Sequence, residues 1–342
     1  MKLLVTGGAG FIGSNFIRYM LMEQDEVHIV NLDSLSYAGN LENLSDLSSD
    51  PRYTFIRGDI ASVEDVEKVF SQGIEAVINF AAETHVDRSI LDASVFVRTN
   101  IEGTHVLLEA CRRRKVSRFI QISTDEVYGS LDETGKFTEE SPLAPNSPYA
   151  ASKAAADLLA RSYHKTYGMD VIVTRCSNNY GTHQFPEKLI PLMILNALEN
   201  KALPVYGDGL QRRDWIHVKD HCTALQSVLM EGQPGRVYNI GSDQEKQNLE
   251  MVHQILRILK KPPELIEFVT DRPGHDRRYA VDASRLKREL GWKPKIGLEE
   301  GIAQTVRWYQ ENSEWVAGVR SGAYIDYYEQ MYEKRDQTLK SS

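Results

Sequence analysis

Long apolar runs, cysteine and an excess of positive charge are what the sequence lacks most plainly. No apolar stretch approaches the ~20 residues that a membrane-spanning helix needs, so an integral membrane protein is not expected. The chain opens directly on a strand-like run with no leader pattern, which makes a reducing, cytoplasmic compartment the expectation. Cys111, Cys176 and Cys222 are too few and too scattered for a disulfide framework or a zinc knuckle, and no metal site is expected. With 40 basic against 48 acidic residues the net charge is -8, the wrong sign for nucleic acid or a membrane surface as main partner. The one basic cluster, Arg112-Arg113-Arg114-Lys115, reads as the solvated end of a helix, where cations suit the macrodipole. The sequon Asn43-Leu44-Ser45 reads as chance.

What is present is a chain of 342 residues, long enough for one large domain or two intimate ones. Its start alternates strand and helix. Residues 2–6 form a short apolar run, followed at once by Gly7-Gly8-Ala9-Gly10-Phe11-Ile12-Gly13 and a helical pattern. Strand, glycine turn and helix are what a dinucleotide loop needs: Gly7, Gly10 and Gly13 allow a tight turn, close approach of a pyrophosphate and helix-on-strand packing. A second strand, 27–32, ends in Asp33, placed to accept from a ribose 2'-hydroxyl and to repel a 2'-phosphate, so NAD is favoured over NADP; an ordinary turn aspartate is the weaker reading. A third strand, 53–57, leads to Asp59 and Ile60 near the adenine edge. A fourth, 76–80, leads to Ala81-Ala82-Glu83-Thr84-His85, where small residues let a cofactor approach.

Residues 123–153 carry the most chemistry. A fifth strand, 117–122, delivers Ser123-Thr124-Asp125-Glu126-Val127-Tyr128-Gly129, and a helix is expected after Pro148 through Tyr167. Tyr149 and Lys153 then share a face at i and i+4, where an ammonium draws a phenol's pKa down and makes it a general base. Each piece has a plainer reading: Y-x-x-x-K occurs on many helix surfaces, and adjacent acids often form a solvated turn. A sixth strand, 171–175, leads to Cys176-Ser177-Asn178-Asn179-Tyr180-Gly181, and beyond it the regular alternation ends. Arg212, Arg213, Arg272, Arg277 and Arg278 are either forks for a substrate diphosphate or ordinary surface arginines. His217 and His221 have the spacing of a metal pair but no accompanying acid, which favours a helix start without metal.

The glycine spacing resembles the short-chain dehydrogenase/reductase superfamily. With the 81–87 and 123–129 stretches, Tyr149 to Lys153, Asn178-Asn179-Tyr180-Gly181 and Asp271-Arg272-Pro273-Gly274-His275-Asp276, almost the whole chain is similar to its extended branch, and within that to dTDP-glucose 4,6-dehydratases. The Thr-Asp-Glu triplet is the specific part: epimerases of the superfamily lack the acidic pair, and GDP-mannose dehydratases carry Ser/Thr-Glu and prefer NADP. Thr84 is a departure, since many relatives have serine there.

The resemblance implies a Rossmann-type doubly wound parallel α/β sheet with a smaller mixed α/β substrate domain. Residues 1–176, with a return segment near 208–240, would bind NAD, tightly held and recycled; 177–207 and 241–342 would bind dTDP-glucose. It implies catalytic roles for Thr124, Asp125, Glu126, Tyr149 and Lys153. Cofactor contacts would be Gly7, Gly10, Phe11, Ile12, Gly13, Asp33, Ser34, Leu35, Ser36, Asp59, Ile60, Ala81, Ala82, Thr99, Tyr149, Lys153 and Asn179. Substrate contacts would be His85, Thr124, Asn178, Lys188, Leu189, Pro204, Val205, Tyr206, Arg213, Asn248, Asp271, Arg272, Pro273, Gly274, His275 and Tyr332. Such proteins pair as homodimers through a four-helix bundle, here the helices near 99–114 and 150–167. A UDP-sugar dehydratase or 4-epimerase, or an NAD-binding sensor without catalysis, are the competing readings.

Overall fold

The computed structural model describes residues 1–320, so Tyr332 lies outside the described residues. The six strands expected from the sequence form as β1 (Lys2–Thr6), β2 (His28–Asp33), β3 (Tyr53–Arg57), β4 (Ala76–Asn79), β5 (Arg118–Thr124) and β6 (Val171–Cys176). They are followed by β7 (Asn178–Tyr180), β8 (Leu203–Tyr206), β9 (Arg212–His217), β10 (Val237–Ile240), β11 (Glu245–Gln247) and β12 (Ile266–Val269). One seven-stranded sheet runs β10-β6-β5-β4-β1-β2-β3, with every neighbouring pair parallel. Near-continuous apolar strands suit it: Leu3, Leu4 and Val5 are wholly buried because helices cover both faces.

On one face Phe16, Ile17 and Met20 of the Phe11–Glu23 helix pack with Leu225 and Val228 of the Val218–Glu231 helix. On the other, Val66 and Val69 meet Leu107, Leu108 and Ala160 from the Val63–Phe70, Thr104–Arg114 and Pro148–Tyr167 helices. The strand order reverses at β1, between β2 and β4, and opens a crevice at the carboxyl ends of the strands.

A third core, including Ile190, Met193, Trp215, Met251, Ile302 and Tyr309, holds the Leu189–Leu198, Asn248–Leu259 and Leu298–Glu311 helices together. It sits with the small sheets β11-β9-β7 and β12-β8. Among the described residues no helix is long and apolar enough to cross a membrane.

The Pro148–Tyr167 helix starts one residue earlier than expected. The Ser147 side chain caps it by accepting from the Ala150 N–H at 3.1 Å, Pro148 takes the first turn, and Gly168 closes it at φ 68°.

Candidate active site

The glycine turn, the strand ends and the Pro148–Tyr167 helix converge on one cavity of about 440 Å³. It is lined by Gly7, Gly10, Phe11, Ile12, Gly13, Asp33, Ser34, Ser36, Asp59, Ile60, Ala81, Ala82, Thr99, Thr124, Asp125, Glu126, Tyr149, Lys153, Asn178, Asn179 and Lys188, which joins most of the expected cofactor contacts to all five expected catalytic residues. Leu35 does not line it. Its side chain is turned by a left-handed backbone (φ 57°), and what it offers is an N–H to the Asp33 carboxylate at 2.8 Å.

The residues at this wall fit NAD. A side chain at Gly13 would put Cβ 2.4 Å from the Gly7 carbonyl, and at Gly7 (φ 66°) 2.6 Å from the Ala81 nitrogen, so the turn is closed to anything larger than glycine. Gly10 caps the Phe11–Glu23 helix with no side-chain bond and no acid in the first turn, leaving its N-terminal potential open to an anion. Asp33 is buried at the strand end, each oxygen fixed by one backbone N–H: Ala9 at 2.9 Å and Leu35 at 2.8 Å. Burial nonetheless raises its pKa, so a hydroxyl donor there is favoured and a second anion is not.

The acid pair sits in a short 3-10 turn, Asp125–Tyr128, capped by the Thr124 side chain, which accepts from the Glu126 N–H at 3.3 Å. Asp125 is 2% exposed and its Oδ2 has no hydrogen-bond partner. Burial, then the neighbouring Glu126, push its pKa well above the carboxylate range, which favours the protonated form. Burial also raises Glu126, but Arg272, Arg213 and Lys188 pull it back. Two adjacent carboxyls thus meet different environments, the arrangement that an acid beside a base requires.

The expected lowering of Tyr149 by Lys153 is not found. Burial and then Glu126 lift the phenol well above its usual range, against the Thr124 hydrogen bond, while the Lys153 Nζ donates to the Ile122 carbonyl at 2.6 Å. Desolvation dominates for both side chains, and burial lowers Lys153 as it raises Tyr149.

The smaller unit supplies the facing wall. Arg213 is buried over the Tyr279 ring at 4.3 Å and donates to the Asp276 carbonyl at 2.9 Å; Arg272 lies 3.6 Å from Asp87, which also accepts from the Tyr206 hydroxyl at 3.0 Å. Both guanidiniums act on Glu126. Asp271 accepts from Gln211 at 3.0 Å and pairs with His275 at 2.6 Å. The Asn248 N–H donates to the Gln211 carbonyl, and its Oδ1 is buried without a partner. Gly274 (φ 65°) follows Pro273 and would bring a Cβ within 3.0 Å of the Asn146 carbonyl.

The structure separates several residues that the sequence grouped. Arg212 and Arg278 pair with Glu245 at 2.7 Å and Arg277 with Asp208 at 2.8 Å, so three of the five candidate diphosphate arginines are held in ion pairs of their own. Val205 is 1% exposed in the third core, and Pro204 beside it is paired through β8 to β12, leaving backbone rather than side chain for a ligand. Leu189 opens its helix against the same core. His217 caps a helix by accepting from the Lys219 N–H, and His221 meets Asn179 Oδ1 at 2.9 Å, so the two share no ligand geometry.

Sequence reasoning missed Tyr37, Glu187, Arg98 and Asn100. The Tyr37 hydroxyl donates to Glu187 at 3.1 Å, with Arg88 stacked 4.0 Å above its ring; Glu187 also lies 3.7 Å from His85 and 3.8 Å from Lys188, and burial pushes its pKa up to about 7. Arg98 pairs with Asp59 at 2.6 Å. Asn100 donates to the Glu83 carbonyl at 3.0 Å and to Ser152 at 2.8 Å, tying the fourth-strand loop to the Tyr149 helix. Arg98 and Asn100 flank Thr99 in a wide π turn, Val97–Gly103, a form common at functional sites that no local sequence signal announces. Tyr37 and Glu187 each adjoin an expected contact, which was the available clue.

The family described as GDP-mannose 4,6 dehydratase matches residues 4–305. A dTDP-glucose 4,6-dehydratase of Xanthomonas campestris pv. campestris (strain B100) is 53% identical over 340 residues, covering 94% of this chain and 96% of that relative. The crystal structure of a dTDP-glucose 4,6-dehydratase from Bacillus anthracis str. Ames in complex with NAD superposes with a TM-score of 0.88 at 52% identity, covering 93% of this chain and 99% of the other. One from Streptomyces venezuelae, with NAD and dTDP bound, gives 0.91 at 49% identity, covering 93% and 100%. With these likenesses spanning both the glycine wall and the arginine wall, the chain belongs to the NAD-dependent dTDP-glucose 4,6-dehydratases, hydro-lyases of the extended short-chain dehydrogenase/reductase superfamily.

Proposed function

We propose that Thr124, Asp125, Glu126, Tyr149 and Lys153 carry the conversion of dTDP-glucose to dTDP-4-keto-6-deoxy-glucose and water. The observation that supports this is the unequal acid pair, buried Asp125 with an unpartnered Oδ2 beside cation-flanked Glu126, within one cavity with Tyr149. The 6-hydroxyl of an unactivated sugar leaves poorly; a ketone at C4 makes the C5 proton acidic and opens the elimination. NAD held at the glycine wall supplies a hydride acceptor that is regenerated when the hydride returns to C6.

Tyr149 takes the C4 hydroxyl proton as its phenolate, the minor form while burial holds its pKa up, with Thr124 hydrogen-bonding the C4 oxygen and Lys153 holding the strand edge and the ribose. Glu126 takes the C5 proton. Asp125 gives its proton to the departing C6 hydroxyl, the C6–O bond breaks, and water leaves. Glu126 returns its proton to C5 as the hydride returns to C6, and the proton that Tyr149 took from the C4 hydroxyl is passed back to Asp125, so every side chain is restored and no net redox change remains.

Residues 1–176 with the return segment near 208–240 form the NAD-binding unit in this reading, and 177–207 with 241–342 the sugar-nucleotide unit. Arg213 and Arg272 serve the diphosphate, with His85, Asn178, Lys188, Tyr206, Asn248, Asp271 and His275 around the nucleotide sugar. A homodimer forms through the Thr104–Arg114 and Pro148–Tyr167 helices, where Leu158 and Tyr167 are more than half exposed. The enzyme works in the cytoplasm.

The deciding experiment is NMR of the product from dTDP-glucose in deuterated water without added NAD, with UDP-glucose in parallel. A 4-keto-6-deoxy product labelled at C5 and made faster from dTDP-glucose is expected. An unlabelled 4-epimer would refute the roles given to Asp125 and Glu126.

A further inference from the structure

The 3-10 turn that bears the acid pair ends in Tyr128, a residue with no face on the cavity. Its upstream end is fixed by the sheet, since Thr124 pairs in register with Cys176 of β6. Its downstream end is held by Val127, buried with Ala154 and Val281, and by the polar contacts of Tyr128. The Tyr128 hydroxyl donates to Asn239 Oδ1 at 2.7 Å and accepts from Arg175 Nη1 at 2.8 Å. The Arg175 guanidinium also lies 4.8 Å from the Tyr128 ring centroid, and that ring stacks on Phe137 at 4.9 Å. Arg175 is 1% exposed, and its Nε donates to Asp157 Oδ2 at 2.9 Å. Asp157 lies on the Pro148–Tyr167 helix, one turn beyond Lys153.

We propose that Tyr128 and Arg175 are positioning residues for the elimination step: one buried guanidinium ties the turn carrying Asp125 and Glu126 to the helix carrying Tyr149 and Lys153. The inference rests on the catalytic roles proposed above. A buried ion pair is seldom retained for stability, because its desolvation offsets most of its attraction. What this pair supplies is a fixed distance between two groups of reacting side chains, and misplacement on the scale of an ångström is expensive in rate. The effect is selective. Thr124 is held by β5 and Tyr149 by its helix, so C4 oxidation keeps its geometry when the clamp is loosened. Asp125 and Glu126 depend on the turn, so proton removal at C5 and loss of the C6 hydroxyl do not.

The test is single-turnover kinetics of holoenzyme Tyr128→Phe, which keeps the stacked ring and removes only the hydroxyl, followed by absorbance of the reduced cofactor and by deuterium uptake at C5. Oxidation is expected within about twofold of wild type, with elimination and C5 exchange slowed roughly tenfold, so that reduced cofactor accumulates. Arg175→Lys keeps a charge opposite Asp157 but cannot span both partners, and the same imbalance is expected from it. Equal slowing of both steps, or no change in either variant, overturns the proposal and leaves Arg175 a packing residue. Wild-type protein run alongside separates the two levels: if it makes no 4-keto-6-deoxy product, the catalytic reading fails first.

Discussion

The glycine wall of the cleft is made of backbone and small side chains at the ends of one parallel sheet, whereas the arginine wall is made of long charged side chains brought from distant parts of the chain. The first needs almost no side-chain ordering: Gly7 N–H donates to the Leu32 carbonyl at 2.9 Å, the Asp33 carboxylate accepts from the Ala9 and Leu35 N–H groups, and the close approaches at Gly7 and Gly13 leave no room for a side chain. The second is cross-braced, with Asp87 joined to Tyr206 and Arg272, and Gln211 to Asp271. A wall of the first kind holds a ligand present in every turnover. A wall of the second kind can admit and release one, because long side chains re-form their ion pairs at modest cost.

The largest expected effects separate the chemistry that belongs to each wall. Tyr149→Phe removes the proton acceptor needed before anything else happens, so turnover falls by about 10³-fold and no reduced cofactor appears in stopped-flow absorbance. Asp125→Asn leaves oxidation intact and slows water loss by roughly 10²-fold or more, so reduced cofactor builds up and persists. Loss of that transient in Asp125→Asn would mean that the acid pair and Tyr149 act as one unit and that the division is wrong. Next in size, Asp33→Ala removes the acceptor shared by Ala9, Leu35 and the ribose. NAD affinity, measured by calorimetry on stripped protein, should weaken by about 10- to 100-fold, with little change in nucleotide-sugar binding.

How much of this could be read from the sequence follows the same division. The parallel sheet, the glycine turn, Asp33 and the Tyr149–Lys153 spacing were legible because local periodicity fixes them: a buried strand, a turn and an amphipathic helix each leave a pattern over a few residues. The arginine wall was not, since nothing local distinguishes Arg213 and Arg272, which face Glu126, from Arg212, Arg277 and Arg278, which end in ion pairs with Glu245 and Asp208. The Tyr149 environment was misjudged for a related reason. Spacing places Lys153 on the right face, but burial decides the sign of the pKa shift, and burial is a property of the whole fold.

Arg272→Met tests whether the arginine wall tunes the base as well as holding substrate. Arg272 is the strongest of the cations that draw Glu126 down against burial. Without it the Glu126 pKa rises. Since a general base works only when deprotonated, the acidic limb of the pH–kcat profile moves to higher pH. KM should rise roughly tenfold as well. A raised KM with an unmoved limb would confine Arg272 to binding.

The smallest expected effect lies where the walls meet. Tyr37 follows the Asp33 turn yet donates to Glu187, which adjoins Lys188 on the facing side, so the loop over the glycine wall is latched to the other. Tyr37→Phe keeps the ring beneath Arg88 and removes only the hydroxyl, and the rate at which NAD exchanges out should rise about five- to tenfold, the weight of one ordinary hydrogen bond. The difference should depend on pH in a fixed sense. Burial holds Glu187 at about 7, so the carboxylate that accepts from Tyr37 is present above that pH and is lost as pH falls through it. Wild type should therefore retain NAD better than Tyr37→Phe at pH 8 and equally at pH 5.5, in exchange followed with labelled cofactor. A difference that persists at low pH would place the latch in the ring and Arg88 rather than in Glu187.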